Sequence, residues 1–463
     1  MLTVTRRQFL ISMGVALMTP YHWVRAAQLP KILRASITKT QLAPADFPQT
    51  TVWAFNKKIP GAMLRIKQGE TLALRFQNDL PEGSSVHWHG IRIDNKMDGV
   101  PGLTQKLVEP KTSFDYKFVV PDAGTYWYHS HNRSWEQMAK GLYGPLIVEE
   151  QNPPKVDRDE VLVIDDWRLG SDGQISENFG SMMDHSHAGR RGNWITVNGI
   201  GMDKASLEVK QFERLRLRLI NVANAQIFTL SLQGLNGWLV ALDGQPLDEL
   251  QPLSEDIILA PAQRVDLIVD VTAKTGSVAE MSDNSRGKKT LFFTFPVNGE
   301  KRKQMMVQPE PLPPNSVPKI THLDKASITE LLMEGGAMGR MRSAIYKGKE
   351  LTTRELVKEG MVWSFNGVVG MTVKPLLEAK RNETVRIRII NETSWQHAMH
   401  LHGHHFRQIH ENGKQGPLRD TILLNRSERM DIAFVADNPG DWLLHCHMLE
   451  HQASGMKTWI RVS

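Results

Sequence analysis

Glu213-Arg-Leu-Arg-Leu-Arg-Leu-Ile-Asn221 decides the fold, because the chain writes it three times. The other copies are Glu70-Thr-Leu-Ala-Leu-Arg-Phe-Gln-Asn78 and Glu383-Thr-Val-Arg-Ile-Arg-Ile-Ile-Asn391. Each opens on an acid, alternates apolar with other residues and closes on Asn, the period-two pattern of a strand. Its surroundings repeat too. Trp53-Ala-Phe-Asn56, Trp194-Ile-Thr-Val-Asn198 and Trp363-Ser-Phe-Asn366 come before, and further alternating strands follow at 114–120, 265–271 and 430–435. Helical periodicity is scarce and clearest near 352–359. Such repeats predict an all-β chain of three antiparallel sandwiches. About 435 residues beyond the N-terminal leader suit three domains of about 150 residues. Linkers are expected at 151–157 and at 309–318, where five prolines exclude a central strand. The expected domains are therefore 28–150, 158–308 and 319–463.

The chemistry gathers at the C-terminal end. Cys446 is the only cysteine, set between His445 and His447, with His451 and Met456 close behind. Two imidazoles, a thiolate and a weak thioether make a blue-copper ligand set. In a strand, Cys446 faces one way and both neighbouring histidines the other. One strand can thus hold copper on its Cys side and offer two imidazoles to a second site behind. Three more i, i+2 pairs occur: His87 and His89, His129 and His131, His400 and His402. With His397 and His451 beside the Cys446 site, ten of the 17 histidines fall into one plan. Structural zinc takes four ligands and catalytic zinc about three, so zinc does not account for them.

These motifs resemble those of the multicopper oxidases, the family of laccases, ascorbate oxidase and bacterial cuprous oxidases. His-Trp-His-Gly at 87–90, Tyr-His-Ser-His at 128–131, His-x-x-His-Leu-His-Gly at 397–403 and His-Cys-His-x3-His-x4-Met at 445–456 stand in family order. The resemblance spans nearly the whole mature chain and implies three consecutive cupredoxin-like Greek-key β-sandwich domains and four copper ions. It assigns Cys446, His397, His451 and axial Met456 to the type 1 copper, and His87 and His400 to the type 2 copper. The type 3 pair would take His89, His129 and His447 on one side, and His131, His402 and His445 on the other. The middle copy lacks the histidine pairs and reads as a structural spacer. The implied reaction takes single electrons from a reducing substrate at the type 1 copper and passes them through Cys446 to the cluster, where O2 becomes water. Asp98 matches the family's acid near the type 2 site, a proton relay by resemblance. Gln452 stands where many bacterial relatives carry a second acid, and Ala398 replaces a proline.

Thr5-Arg6-Arg7-Gln8-Phe9-Leu10 resembles a twin-arginine export motif, which predicts a signal at 1–27, cleaved after Ala26 or Ala27, and a periplasmic protein. The apolar run at 9–18 is too short for a bilayer, which needs about 20 residues, and no later segment is long and apolar enough for an anchor. The net charge of +6 falls by three with Arg6, Arg7 and Arg25, and no basic run points to nucleic acid. The expected partners are O2, a small reducing substrate and the twin-arginine export machinery, with the enzyme a monomer. Three functions compete: a laccase-like oxidase of phenols, a Cu(I) or other metal oxidase, and a non-catalytic cupredoxin scaffold. Ten histidines and a lone cysteine held in register argue against the scaffold. Trp395 is a candidate contact for an aromatic donor. Met333, Met338 and Met341, or Met182-Met183-Asp184-His185-Ser186-His187, are candidates for catching copper ions.

Overall fold

The computed structural model describes residues 31–463. The arginine pair Arg6-Arg7 and the cleavage point after Ala26 or Ala27 lie outside the described residues. Three two-sheet sandwiches follow one another. The first pairs a sheet ordered Thr50–Phe55, Lys31–Thr40, Thr71–Asn78, Ser113–Val119 with one ordered Leu64–Lys67, Tyr143–Glu149, Gly124–His129, His87–His89. The middle sandwich has seven- and five-stranded sheets, and the third six- and five-stranded ones. Each closes on its own apolar core, with Phe76 and Leu146 in the first, Leu217 and Phe295 in the middle, Ile387 and Leu444 in the third.

The threefold repeat becomes a threefold register. Thr71–Asn78, Arg214–Asn221 and Thr384–Asn391 each run parallel to their sandwich's first strand. Each also pairs antiparallel with the next repeated strand, as in Phe76 opposite Phe114, Leu217 opposite Leu267 and Ile389 opposite Met430. The terminal Asn has a physical reason. Asn78, Asn221 and Asn391 each accept from the backbone N–H two residues on and donate Nδ2 to two carbonyls, which clamps the strand exit. The Asn after each tryptophan segment adopts the left-handed conformation, at φ of 53°, 53° and 50° for Asn56, Asn198 and Asn366. Its amide docks on the first strand, as Asn198 does with Val161 O and Val163 N. The helical stretch near 352–359 is the short helix Thr353–Lys358, with a Thr352–Glu355 capping box.

The middle strand departs from simple alternation. Every residue of Arg214–Asn221 is buried, because neighbouring segments cover its arginine face as well. Arg216 meets Asp266 and Glu150, Arg218 meets Asp159 and Asp266, and Arg214 pairs with Asp270 while holding the carbonyls of Met306 and Val307. The segment 309–318 contains no regular element and is strapped to the first sandwich, where Asn315 bonds both backbone groups of Ala123. Among the described residues no helix is long and apolar enough to cross a membrane.

First and middle sandwiches share an apolar seam that includes Trp127, Tyr143, Trp167 and Ile220. Asp165 sits on it, taking the Tyr143 hydroxyl at 2.5 Å, with Asp166 beside it. Burial pushes Asp165 up to about 8 and Asp166 up to about 7. At neutral pH Asp165 is mainly protonated inside and Asp166 about half so, whereas both are ionised in the unfolded chain. Their stabilisation is complete below the free carboxyl value of about 4 and is lost as pH rises towards 8, at about 1.4 kcal/mol per pH unit for one such group. Asp165→Asn is expected to flatten the fall of the denaturation midpoint between pH 5 and 8; an equally steep fall in the variant would remove Asp165 from that account.

Candidate metal centres

Cys446 ends the strand Gly440–Cys446 opposite Met399, with His397 two residues earlier on that partner strand. His451 comes from the short helix Leu449–Ala453. The Cys446 Sγ lies 3.6 Å from His397 Nδ1 and 3.8 Å from His451 Nδ1, and the two nitrogens are 3.0 Å apart. All three residues are fully buried. Met456 is buried beside them, its backbone bonded to both Cys446 and His451. His451 Nε2 donates to the His187 carbonyl at 2.7 Å, so its Nδ1 carries a lone pair. His397 Nε2 donates to the Thr393 hydroxyl at 2.8 Å, since that hydroxyl gives its own hydrogen to Asn391, and its Nδ1 is bare as well. Two lone pairs and a sulfur pointed at one spot repel unless a cation lies between them. Burial, with a smaller push from Glu450, raises the thiol to about 12, so only a bound cation makes it a thiolate at neutral pH. The residues fit copper.

The eight paired histidines converge on a second buried centre between the first and third sandwiches. His87 lies opposite His129, and His400 opposite His445. His131, His402 and His447 sit just beyond strand ends, so their pairs straddle strand and turn instead of lying wholly in strand. Most rings turn one nitrogen outward to an anchor that can only accept. Nδ1 of His87, His129, His400 and His445 donate to the carbonyls of Asp98, Ser130, Asp420 and Cys446, at 2.8 to 2.9 Å. The opposite nitrogens of His87, His129 and His400 are buried without any hydrogen-bond partner, as are His89 Nδ1, His131 Nε2 and both nitrogens of His447. The Nε2 atoms of His402 and His445 face each other at 3.2 Å. Burial, reinforced by neighbouring imidazoles, holds His89, His129, His131, His402, His445 and His447 well below their usual titration range, hence neutral and ready to bind. Such orphaned nitrogens are costly in an apolar interior and fit metal ions. The structure brings ligand atoms of His89, His129 and His447 within 4.8 Å of one another, and likewise those of His131, His402 and His445, and of His87, His89 and His400.

Two carboxylates bind this centre together. Asp98, anticipated from the sequence, reaches His402 Nδ1 at 2.9 Å and His87 Nδ1 at 3.2 Å, tying the third sandwich to the first. Asp420 was not anticipated. It lies 3.3 Å from His89 Nε2 and 3.4 Å from His400 Nδ1, and the Arg264 guanidinium holds its carboxyl well below the usual range against the pull of burial. Arg264 belongs to the middle sandwich and lies 156 residues away in sequence, so no local pattern could have linked the two. The middle sandwich is therefore more than a spacer. It also supplies Asn224, which donates to Glu450 at 2.8 Å, and the His187 carbonyl over His451. Glu450 points into that interface, while Gln452 lines a cleft of about 790 Å³ that runs to His131 past Trp135, Lys457 and Trp459.

The methionines separate. Met333 is fully buried in the third core and Met341 is nearly so, whereas Met338 is exposed. Met182 and Met183 are exposed on the short helix Met182–Ser186, and His187 faces Trp395 with ring centroids 5.2 Å apart. His404 packs on Phe434 and Trp442, and His405 meets Gln245; neither joins a centre.

Three repeated sandwiches, a Cys–His–His nest, and a cavity of imidazoles one peptide unit away define a protein of the copper-oxidase class. Comparison with known proteins bears this out. Multicopper oxidase family models match residues 36–153, 158–288 and 346–463. The crystal structure of Lac15 from a marine microbial metagenome is 42% identical, covers 94% of this chain and all of its own, and has a TM-score of 0.75. The multicopper oxidase MmcO of Mycobacterium tuberculosis is 27% identical over 89% of this chain and 83% of its own length. A copper resistance protein A homolog of Pseudomonas syringae pv. tomato is 26% identical over 89% of each. The chain belongs to the multicopper oxidase family. It is an oxidoreductase that uses O2, built of cupredoxin-like domains, and its cofactor is copper.

Loading with copper should stabilise the contact between first and third sandwiches as well as the sites. Ligand at a thousandfold excess over its Kd contributes about 4 kcal/mol per site. Calorimetry of the copper-loaded and chelator-stripped chain is expected to show a lower midpoint after stripping; equal midpoints would mean that the protein scaffold alone holds the imidazoles together.

Proposed function

We propose that this chain is an exported, periplasmic, monomeric oxidase that takes single electrons from phenolic or similar small donors and reduces O2 to water. The observation that carries this reading is Cys446, bonded through single peptide units to His445 and His447, so that the nest and the cavity share one stretch of backbone. Cys446, His397, His451 and Met456 would hold the type 1 copper. His87 and His400 would hold the type 2 copper, with His89, His129 and His447, and His131, His402 and His445, on the type 3 pair. Four copper ions so held would supply the chemistry, one-electron oxidation of the donor and four-electron reduction of O2.

The remaining work falls to the protein. Domains at 28–150 and 319–463 bring four imidazoles each to the cavity, and 158–308 clamps them from the side. Cys446 with its two neighbours provides the short covalent path for electrons. Asp98, with one oxygen on His402 Nδ1 and the other on His87 Nδ1, is placed to hold and hand on a proton. The cleft to His131 gives O2 and water a way in and out. Because His451 Nε2 is engaged by the His187 carbonyl, a donor meets the protein outside that cap, where the Trp395 and His187 rings lie. A metal-ion oxidase is the second reading. It is favoured by the partly exposed Met182, which lines a cavity of about 210 Å³ with Met341 next to the same cap. A scaffold role is disfavoured by the orphaned nitrogens, which a merely structural interface has no reason to bury.

O2 uptake by the copper-loaded mature chain, with a phenol and Cu(I) offered separately, is expected to be faster with the phenol. Uptake with Cu(I) alone would make the second reading correct. Cys446→Ser is expected to abolish the blue absorption and reduce donor-dependent O2 uptake to background; uptake that survives would overturn the electron path. Met456→Leu should raise the potential of the Cys446 site, because a weakly binding thioether would tune a copper held there. An unchanged redox titration would remove Met456 from the ligands.

A further inference from the structure

Among the buried charged groups, Arg264 stands out, because the middle domain contributes no imidazole to the cavity and yet delivers this guanidinium to its wall. All five of its N–H directions are filled. Two go to Asp420, at 2.9 Å for Oδ1 and 2.5 Å for Oδ2. The others reach the carbonyls of Thr125 in the first sandwich and of Asp243 and Ala262 in the middle one, at 2.9 to 3.2 Å. Arg264 and Asp420 have no measurable exposure. The first sandwich is shaped to admit the pair. Gly90, directly after His89, has φ +84°, and a Cβ there would collide with both the guanidinium and the Asp420 carboxylate.

Asp420 passes this constraint to the imidazoles. Its Oδ1 lies 3.3 Å from His89 Nε2, and its backbone carbonyl takes His400 Nδ1 at 2.8 Å. Next to it, the Thr421 hydroxyl gives its hydrogen to Asp420 and lies 3.3 Å from His89 Nε2. The middle domain also grips this segment through Gln263 on Thr421 O and Asp243 on Arg419. His89 is the ring whose Nδ1, not Nε2, is left bare. A carboxylate fixed against Nε2 selects that tautomer, since it accepts a hydrogen there and leaves the lone pair on Nδ1.

We propose that Arg264 is a positioning residue for the copper cluster: by locking Asp420 it sets the tautomer and orientation of His89 and His400, so that the middle domain governs a site to which it gives no ligand. The inference rests on the assignment of His87, His89 and His400 to the type 2 and type 3 coppers. A lysine cannot reproduce the arrangement, because it has three donors and no planar fork.

The test uses the copper-loaded full chain carrying Arg264→Gln, Arg264→Lys, Asp420→Asn or the Arg264→Gln/Asp420→Asn pair. Readouts are copper per chain, the blue absorption of the Cys446 site and the type 2 copper paramagnetic resonance spectrum. Arg264→Gln is expected to keep the blue absorption while shifting or losing the type 2 signal and weakening copper retention at the cluster by about 10- to 100-fold, with Arg264→Lys recovering part. If the single variant fails to fold, the charge-balanced pair decides. Action through Asp420 predicts that the double variant has the type 2 spectrum of Asp420→Asn alone, whereas independent effects would add. A wild-type type 2 signal in Arg264→Gln, or additive effects in the pair, would overturn the proposal. Failure of the copper assignment itself would show differently, as missing blue and type 2 signals in the unmodified chain.

Discussion

Buried imidazole nitrogens with nothing to bond are the constraint on which this structure turns. Seven such nitrogens belong to cavity histidines, and two further pairs face each other across 3.0 and 3.2 Å. Each unpartnered polar atom in an apolar interior costs on the order of 1–3 kcal/mol, so the sum is large for a folded protein of ordinary stability. The arrangement makes physical sense only around cations. It also demands rigidity, because mobile neighbours would let these rings turn to carbonyls or water.

That rigidity comes from packing three similar units into unlike roles. The first and third sandwiches each carry four imidazoles, and neither could assemble the cavity alone. The middle one gives the cavity none but braces both centres from outside. It places Arg264 on Asp420, Asn224 on Glu450 and the His187 carbonyl on His451. An arginine buried without an acid would be prohibitive, and here the partner acid is shared with a histidine that must be held still. Joining domains and orienting ligands are thus done by the same ion pair.

Period-two geometry links the two centres. Cys446 packs into the third core while His445 and His447 enter the cavity, so one short backbone path connects the nest with the cavity. Access is separated in the same way. The nest is capped by His187, and the cavity opens through the cleft at His131 on the seam of first and third sandwiches. On the proposed function, donor and O2 would meet different surfaces.

The sequence by itself determined the repeating unit and the candidate ligands. Threefold alternation required strands, and the spacing of histidines around Cys446 pointed to two linked metal sites. Those are local properties, carried by residues within a few positions of one another. Only the tertiary structure decided what lies between units. Arginines of an apparently half-exposed strand became fully buried, Met333 entered a core, and Asp420 and Arg264 met across 156 residues. A pattern of period two records which face of a strand is apolar. It does not record which neighbour will cover the other face, because that depends on how whole sandwiches pack.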